Sequence, residues 1–362
     1  MEKKTPLYDC HVAAHGKIVP FAGYLLPVQY ETGVIAEHMA VRQKAGLFDV
    51  SHMGELIICG RDALKNLQML LTNDFKGMAD GQARYSPMCC ENGGIVDDLI
   101  VYRIEEEAYL IVVNASNKDK DYDWMKEHMG GEAKILDISE RVAQIALQGP
   151  RSHDILCRIA GKEDIPEKYY YGKFHADIQG TDCLISRTGY TGEDGYEIYL
   201  GADRAEEMWN LLLESGREEG LIPCGLGCRD TLRLEAAMPL YGHEMDENIT
   251  PLEAGLPFAV KMKKDDFIGK NAILEKGEPS RKRVGLKVTG RGIIREQAEI
   301  FAGDRSIGFS TSGTHCPYLG YPAAMAMLEM PYTQPGTAVK ALVRGRMIDA
   351  EVVALPFYKR AK

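Results

Sequence analysis

The chain of 362 residues has no apolar run long enough to cross a bilayer. Its opening stretch, Met1-Glu-Lys-Lys-Thr-Pro6, lacks the apolar core of a signal peptide, so a cytoplasmic protein without a membrane partner is expected. There is no long block of like charge either. The 43 basic residues are outnumbered by 53 acidic ones, giving a net charge of −10, which has the wrong sign for nonspecific binding to nucleic acid or anionic lipid. An anionic small molecule would need a local arginine. The nine histidines form no HExxH pair, and the nine cysteines are odd in number and scattered through apolar patterns. That distribution fits reduced, buried thiols rather than a disulfide framework. Cys224-Gly-Leu-Gly-Cys228 has the wrong spacing for a zinc knuckle, so no metal is expected. Thr188-Gly-Tyr-Thr-Gly-Glu-Asp-Gly195 is rich in glycine but lacks the Walker lysine and does not lead into a helix, which excludes a phosphate cradle. Ser51-His52 has no oxyanion hole or third partner beside it, which weighs against a nucleophile.

What is present is globular: 45% hydrophobic and 27% charged residues, in a length that predicts two or three domains with an ample core. The stretch that organises the chain is Asn92 to Tyr102, where a glycine turn feeds a β-branched run interrupted by Asp97 and Asp98. Aspartate is depleted in strands, and neighbours on a strand point to opposite faces. The two acids therefore cannot share a proton; one is expected to face the interior or a pocket, the other to be solvated or to bond a turn. The alternative is that both end a β-turn as Asx side chains. Helices are predicted over 35–45, 61–71, 117–129, 150–159 and 202–215, and a hairpin joins 99–104 to 108–114. The turn around Gly225 and Gly227 opens another helix with Arg229 in its first turn. There a carboxylate would meet both the guanidinium and the helix N-terminus, unless Arg229 is held by a structural salt bridge. Residues 261–283 read as a charged linker and solvated face. Six short strands from Val284 onward, most of them separated by glycines, predict a small antiparallel barrel or sandwich.

Ordered along almost the whole chain are Phe48-Asp-Val-Ser-His-Met-Gly-Glu55, Asn92-Gly-Gly-Ile-Val-Asp-Asp-Leu99, Leu147-Gln-Gly-Pro150, Ser186-Arg-Thr-Gly-Tyr-Thr-Gly-Glu-Asp-Gly-Tyr-Glu197, Gly225-Leu-Gly-Cys-Arg-Asp230, Pro239-Leu-Tyr-Gly-His-Glu-Met245 and Thr250-Pro-Leu-Glu-Ala-Gly255. In these the chain resembles the aminomethyltransferase, or T-protein, family of the glycine cleavage system. The resemblance implies an α+β fold: a three-lobed ring around a central folate channel, antiparallel sheets with flanking helices, and a C-terminal β-barrel or jelly-roll-like lobe. It implies a folate-binding region of two interleaved lobes over 1–275 and a barrel domain over 282–362. The implied reaction moves a one-carbon unit from the aminomethyl-lipoyl arm of the H-protein to tetrahydrofolate, releasing ammonia. Asp98 resembles the family's catalytic aspartate and Glu197 its pterin acceptor. Tyr85, Asn114 and Tyr190 resemble residues lining the ring system, Met53 an apolar wall, and Arg229 the arginine that holds the glutamate tail. Tyr24 stands where the family more often has tryptophan. A non-catalytic folate-binding relative that supports iron-sulfur assembly is the alternative; it would be expected to lack the Asp-Asp pair.

Overall fold

The computed structural model describes residues 2–360; positions 1, 361 and 362, the outer ends of the two expected domains, lie outside them. Its contacts divide the chain into two units. The first takes in residues up to Leu70, Asp74–Ser86 and Asp98–Arg229; the second takes in Leu71–Asn73, Pro87–Asp97 and the chain from Asp230 on.

The first unit is built around a six-stranded sheet in the order Gly172–Ile178, Thr181–Ser186, Gly195–Gly201, Val142–Gln148, Ala45–Asp49, Leu221–Pro223, antiparallel except for the last pair. Alternation along its strands sorts side chains between two faces. Ile145, Leu147, Ile185, Tyr196, Ile198 and Leu200 enter one core, with Trp209, Met208 and Leu212 of the helix Ala205–Ser215. That helix buries a stripe at positions 205, 208, 209 and 212, the spacing of one helical face. The intervening residues Gln144, Glu197 and Tyr199 take the opposite face.

Tyr199 packs there with Tyr102, Leu110, Val112 and Leu184, and with the partly buried Met53, Ile57 and Ile100. Most of these belong to a second sheet, in the order Ala83–Cys89, Ile95–Glu105, Ala108–Val113, Gly54–Cys59, Lys134–Asp137. The space between the two sheets of this unit is therefore lined by apolar residues with polar ones set among them.

In the second unit a closed barrel runs Arg281–Val288, Tyr321–Glu329, Arg305–Cys316, Glu299–Ala302, Ala338–Val343, Arg346–Val353, and every pair is antiparallel. Val284, Leu286, Val288, Ala324, Ala326, Leu328, Ile348, Ala350 and Val352 fill it at every second position. The α+β class and the barrel are as the sequence predicts.

Local differences have physical reasons. The predicted helix over 150–159 is regular only at Ser152–Leu156, because Arg158 and Ile159 bond back three residues to Ile155 and Leu156 and tighten the turn. The stretch read as a linker contains the helix Lys270–Lys276, whose Ile273 is buried with Cys89, Val260 and Phe267; its charged residues hid an apolar anchor. Tyr8–Ala13 forms a short helix ahead of the first helix the sequence predicts. The turn before the aspartates is held by Asn92, whose side-chain oxygen accepts from the Gly94 N–H at 2.7 Å. The Asx role belongs to Asn92, and both aspartates lie inside the strand.

Candidate functional site

Asp97 and Asp98 take opposite faces of Ile95–Glu105; one is expected to be solvated or to bond a turn, but both lie inside the strand, Asp97 fully buried and Asp98 half-buried. The Asp98 carboxylate is fixed from two sides. Tyr85, on Ala83–Cys89, donates its hydroxyl to Oδ2 at 2.9 Å, and Asn114, just past Ala108–Val113, donates its amide to Oδ1 at 2.9 Å. The Asn114 amide also reaches the Asp98 carbonyl at 3.1 Å. Two anchors, one on a strand and one just past the end of another, remove the rotational freedom a carboxylate would otherwise lose on meeting a ligand.

Burial pushes the Tyr85 hydroxyl well above its ordinary range, and Asp98, Tyr190 and Tyr170 act in the same direction. Tyr170 is a bulky residue at φ 57°, a strained backbone conformation of the kind that gathers at functional sites. Its hydroxyl is raised by desolvation and then by both Glu197 and Asp98, so the two carboxylates act on one phenol.

Glu197 stands on Gly195–Gly201 and is buried. Thr188 donates to its Oε2 at 2.5 Å and Gln144 to its Oε1 at 3.0 Å. The Gln144 amide also reaches the Tyr199 hydroxyl at 3.0 Å, and among the described residues its Oε1 has no hydrogen-bond partner. Burial raises the Glu197 carboxyl, opposed by Thr188, Arg229 and Gln144.

Arg229 lies in the first turn of Leu226–Glu235, half-buried, with its guanidinium 4.8 Å from the centre of the Tyr190 ring. Burial lowers its pKa, and Tyr190, Glu197 and Tyr199 oppose the shift. Among the described residues it makes no ion pair, so the structural salt bridge left open by the sequence is not what holds it.

Met53 packs, partly buried, in the apolar cluster between the two sheets. His52 beside it is buried, its Nδ1 has no partner among the described residues, and burial followed by the Arg229 charge pushes its pKa down to about 4. The Ser51 hydroxyl donates to the Gln144 carbonyl at 3.2 Å, so it is committed to structure rather than to nucleophilic attack.

Sequence reasoning misses four polar residues here: Gln144, Thr188, Tyr170 and Tyr199. The run of tyrosines at 169–171 was the available signal for one of them; Gln144 and Tyr199 sit in ordinary strand patterns, Thr188 in the glycine-rich loop, and all three gain meaning only from what faces them. It also misses Glu55, which is fully buried with neither carboxylate oxygen hydrogen-bonded among the described residues. Burial and then Asp137 push its pKa well above the usual range, against the opposing Lys118.

The chain thus assembles two oriented carboxylates, a cation that makes no ion pair among the described residues, and several phenols, all within the first unit. Residues 7–264 match the GCVT N-terminal domain and residues 281–359 the glycine cleavage T-protein C-terminal barrel domain. The chain belongs to the glycine cleavage T-protein family. An aminomethyltransferase from Desulfitobacterium hafniense is 50% identical over 362 residues, covering 99% of this chain and 98% of the relative. One from Halalkalibacterium halodurans is 48% identical over 361 residues, covering 99% and 98%. The crystal structure of glycine cleavage system aminomethyltransferase T from Bartonella henselae matches with a TM-score of 0.92 at 36% identity, over 99% of both chains. The activity of the family, aminomethyl transfer in the glycine cleavage system, is the activity of this chain.

Proposed function

We propose that the chain takes the one-carbon unit from the aminomethyl-lipoyl arm of an H-protein and passes it to tetrahydrofolate, with release of ammonia, at the site around Asp98. The observation that carries this reading is the clamped Asp98 carboxylate, held by Tyr85 and Asn114 in the same unit as Glu197 and Arg229.

The residues fit a reduced folate. Glu197 would take the pterin amino and ring N–H donors: each carboxylate oxygen has more than one acceptor position, so Thr188 and Gln144 can set its orientation while acceptor capacity remains. The open Oε1 of Gln144 adds an acceptor beside it. Tyr85, Asn114 and Tyr190 would line the ring system and Met53 would supply an apolar wall. Arg229, supported by Tyr190, would hold the glutamate carboxylate through a charge-assisted contact. The folate supplies the amine that accepts the carbon. Asp98 then stabilises positive charge developing on that amine, and its fixed position contributes more than its basicity, since an arylamine is already neutral near physiological pH. In this reading residues 1–275 form the folate-binding region and 282–362 a separate barrel domain.

The test is ammonia release from aminomethylated H-protein with and without tetrahydrofolate. Release that is fast only when both are present is expected. Release at the same rate without folate would sink the proposal, and folate binding with no release would favour a binding protein.

A further inference from the structure

We propose that Glu37, Cys224 and Cys228 form a site for a thiophilic divalent cation of the zinc class in the interior of the first unit. The carboxylate oxygen and the two sulfurs all lie within 4.8 Å of one another, and the three residues are buried, at 0%, 3% and 0% exposure. In a tetrahedral zinc site adjacent ligand atoms are about 3.5–3.8 Å apart, so the gap closes by small side-chain movements. Two thiols and one carboxylate prefer zinc to magnesium or calcium, which take oxygen.

The surroundings are built for these three groups. The Cys224 thiol donates to the Glu37 carbonyl at 3.8 Å and to the Ile222 carbonyl at 3.6 Å, so it stands directly against the helix that carries the carboxylate. Glu37 is oriented by backbone donors, Tyr30 N–H to Oε1 at 2.6 Å and Gly225 N–H to Oε2 at 2.9 Å, the kind of outer contact that fixes metal-binding carboxylates. Gly46 faces the Cys224 sulfur, and a Cβ there would stand only 2.6 Å from it, so a residue without a side chain leaves the sulfur its place. Arg42, paired with Glu193 at 2.9 Å, acts on the Cys228 sulfur and offsets part of the negative charge of the ligand set.

Binding replaces two S–H bonds with two S–metal bonds and releases both protons to solvent, with no change of oxidation state. The cation would tie the segment entering Leu226–Glu235 to the helix Gly33–Gln43, immediately before Arg229. Cys224 and Cys228 belong to one segment, and the third ligand comes from 187 residues upstream, beyond the reach of any local spacing pattern.

The test is titration of reduced, metal-stripped full-length protein with Co2+, in a Cys157→Ala background that removes the exposed pairing of Cys157 with His153 at 3.4 Å. Expected is near-ultraviolet thiolate-to-cobalt absorption that saturates at one cation per chain and is bleached by Zn2+. Cys224→Ser and Cys228→Ser abolish it, Glu37→Gln weakens Co2+ binding at least about tenfold, and Cys183→Ser, a buried thiol elsewhere, retains it. No such absorption at saturating Co2+ with every thiol reduced, or its persistence in Cys228→Ser, overturns the proposal. Should the serine variants fail to fold, Zn K-edge absorption of the unsubstituted protein decides. Two sulfur neighbours support the site, and one or none overturns it.

Discussion

Asp98 shows how little a single residue does alone. Its carboxylate gains a fixed direction from Tyr85 and Asn114, and a neutral amide at 98 would keep the size while losing the charge. Asp98→Asn is expected to lower turnover by roughly 10²-fold with little change in folate affinity; equal losses in both, measured by steady-state kinetics and calorimetry, would remove its catalytic role. Arg229→Ala is expected to weaken folate binding by about 2 kcal/mol, the scale of a hydrogen bond to a charged group, and an unchanged dissociation constant would take it out of the site. Glu55 gives a pH prediction. Its folded-state pKa is raised, so between the ordinary carboxylate range and that raised value the folded chain holds a proton the unfolded chain has lost. Stability therefore falls as pH rises through that window, by up to about 1.4 kcal/mol per pH unit for this one group. Glu55→Gln should flatten the decline and raise the melting temperature more at pH 8 than at pH 5; an equal shift at both would refute the assignment. Asp98 was legible in the sequence because acids are depleted in a β-run, and Arg229 because it stands in the first turn of a helix, whereas Glu197 was singled out only through the family resemblance. Gln144 and Glu55 were not legible, since a polar residue at an alternating strand position reads as solvent-facing until the opposite layer is known; Thr188 was not, since a threonine in a glycine-rich loop reads as a turn residue.

Among the elements, the turn at Asn92–Gly94 is tightly constrained. A side chain at Gly94 would collide with the Glu247 carbonyl, and Gly93 has φ +81°. Gly94→Ala is expected to cost about 1–3 kcal/mol or more, because a backbone carbonyl cannot swing aside as a side chain can; thermal denaturation within error of the parent chain would contradict this. Strands and the hairpin were readable from alternation, and so were the six strands of the barrel. The helix Lys270–Lys276 was not, because a seven-residue element with one buried anchor, Ile273, presents no repeating apolar face.

Over the whole molecule, the packing is carried by separate cores. Ile198 belongs to the cluster behind the six-stranded sheet and Ile300 to the barrel interior. Ile198→Val and Ile300→Val should each cost about 0.5–1.5 kcal/mol. Because the residues share no cluster, the double variant should lose the sum to within about 0.5 kcal/mol in denaturant unfolding; a larger deviation would show the cores to be coupled. The division of the chain into segments that alternate between units could not be read from sequence, since Leu71–Asn73 and Pro87–Asp97 carry no linker-like composition.

The closed circuit of the barrel has one more consequence. A sheet that returns upon itself leaves no terminal strand with unpaired amides and carbonyls, so another polypeptide finds no template there for strand addition. Whatever associates with the barrel strands must do so through side chains, and the same closure protects the barrel from growing strand by strand into aggregates.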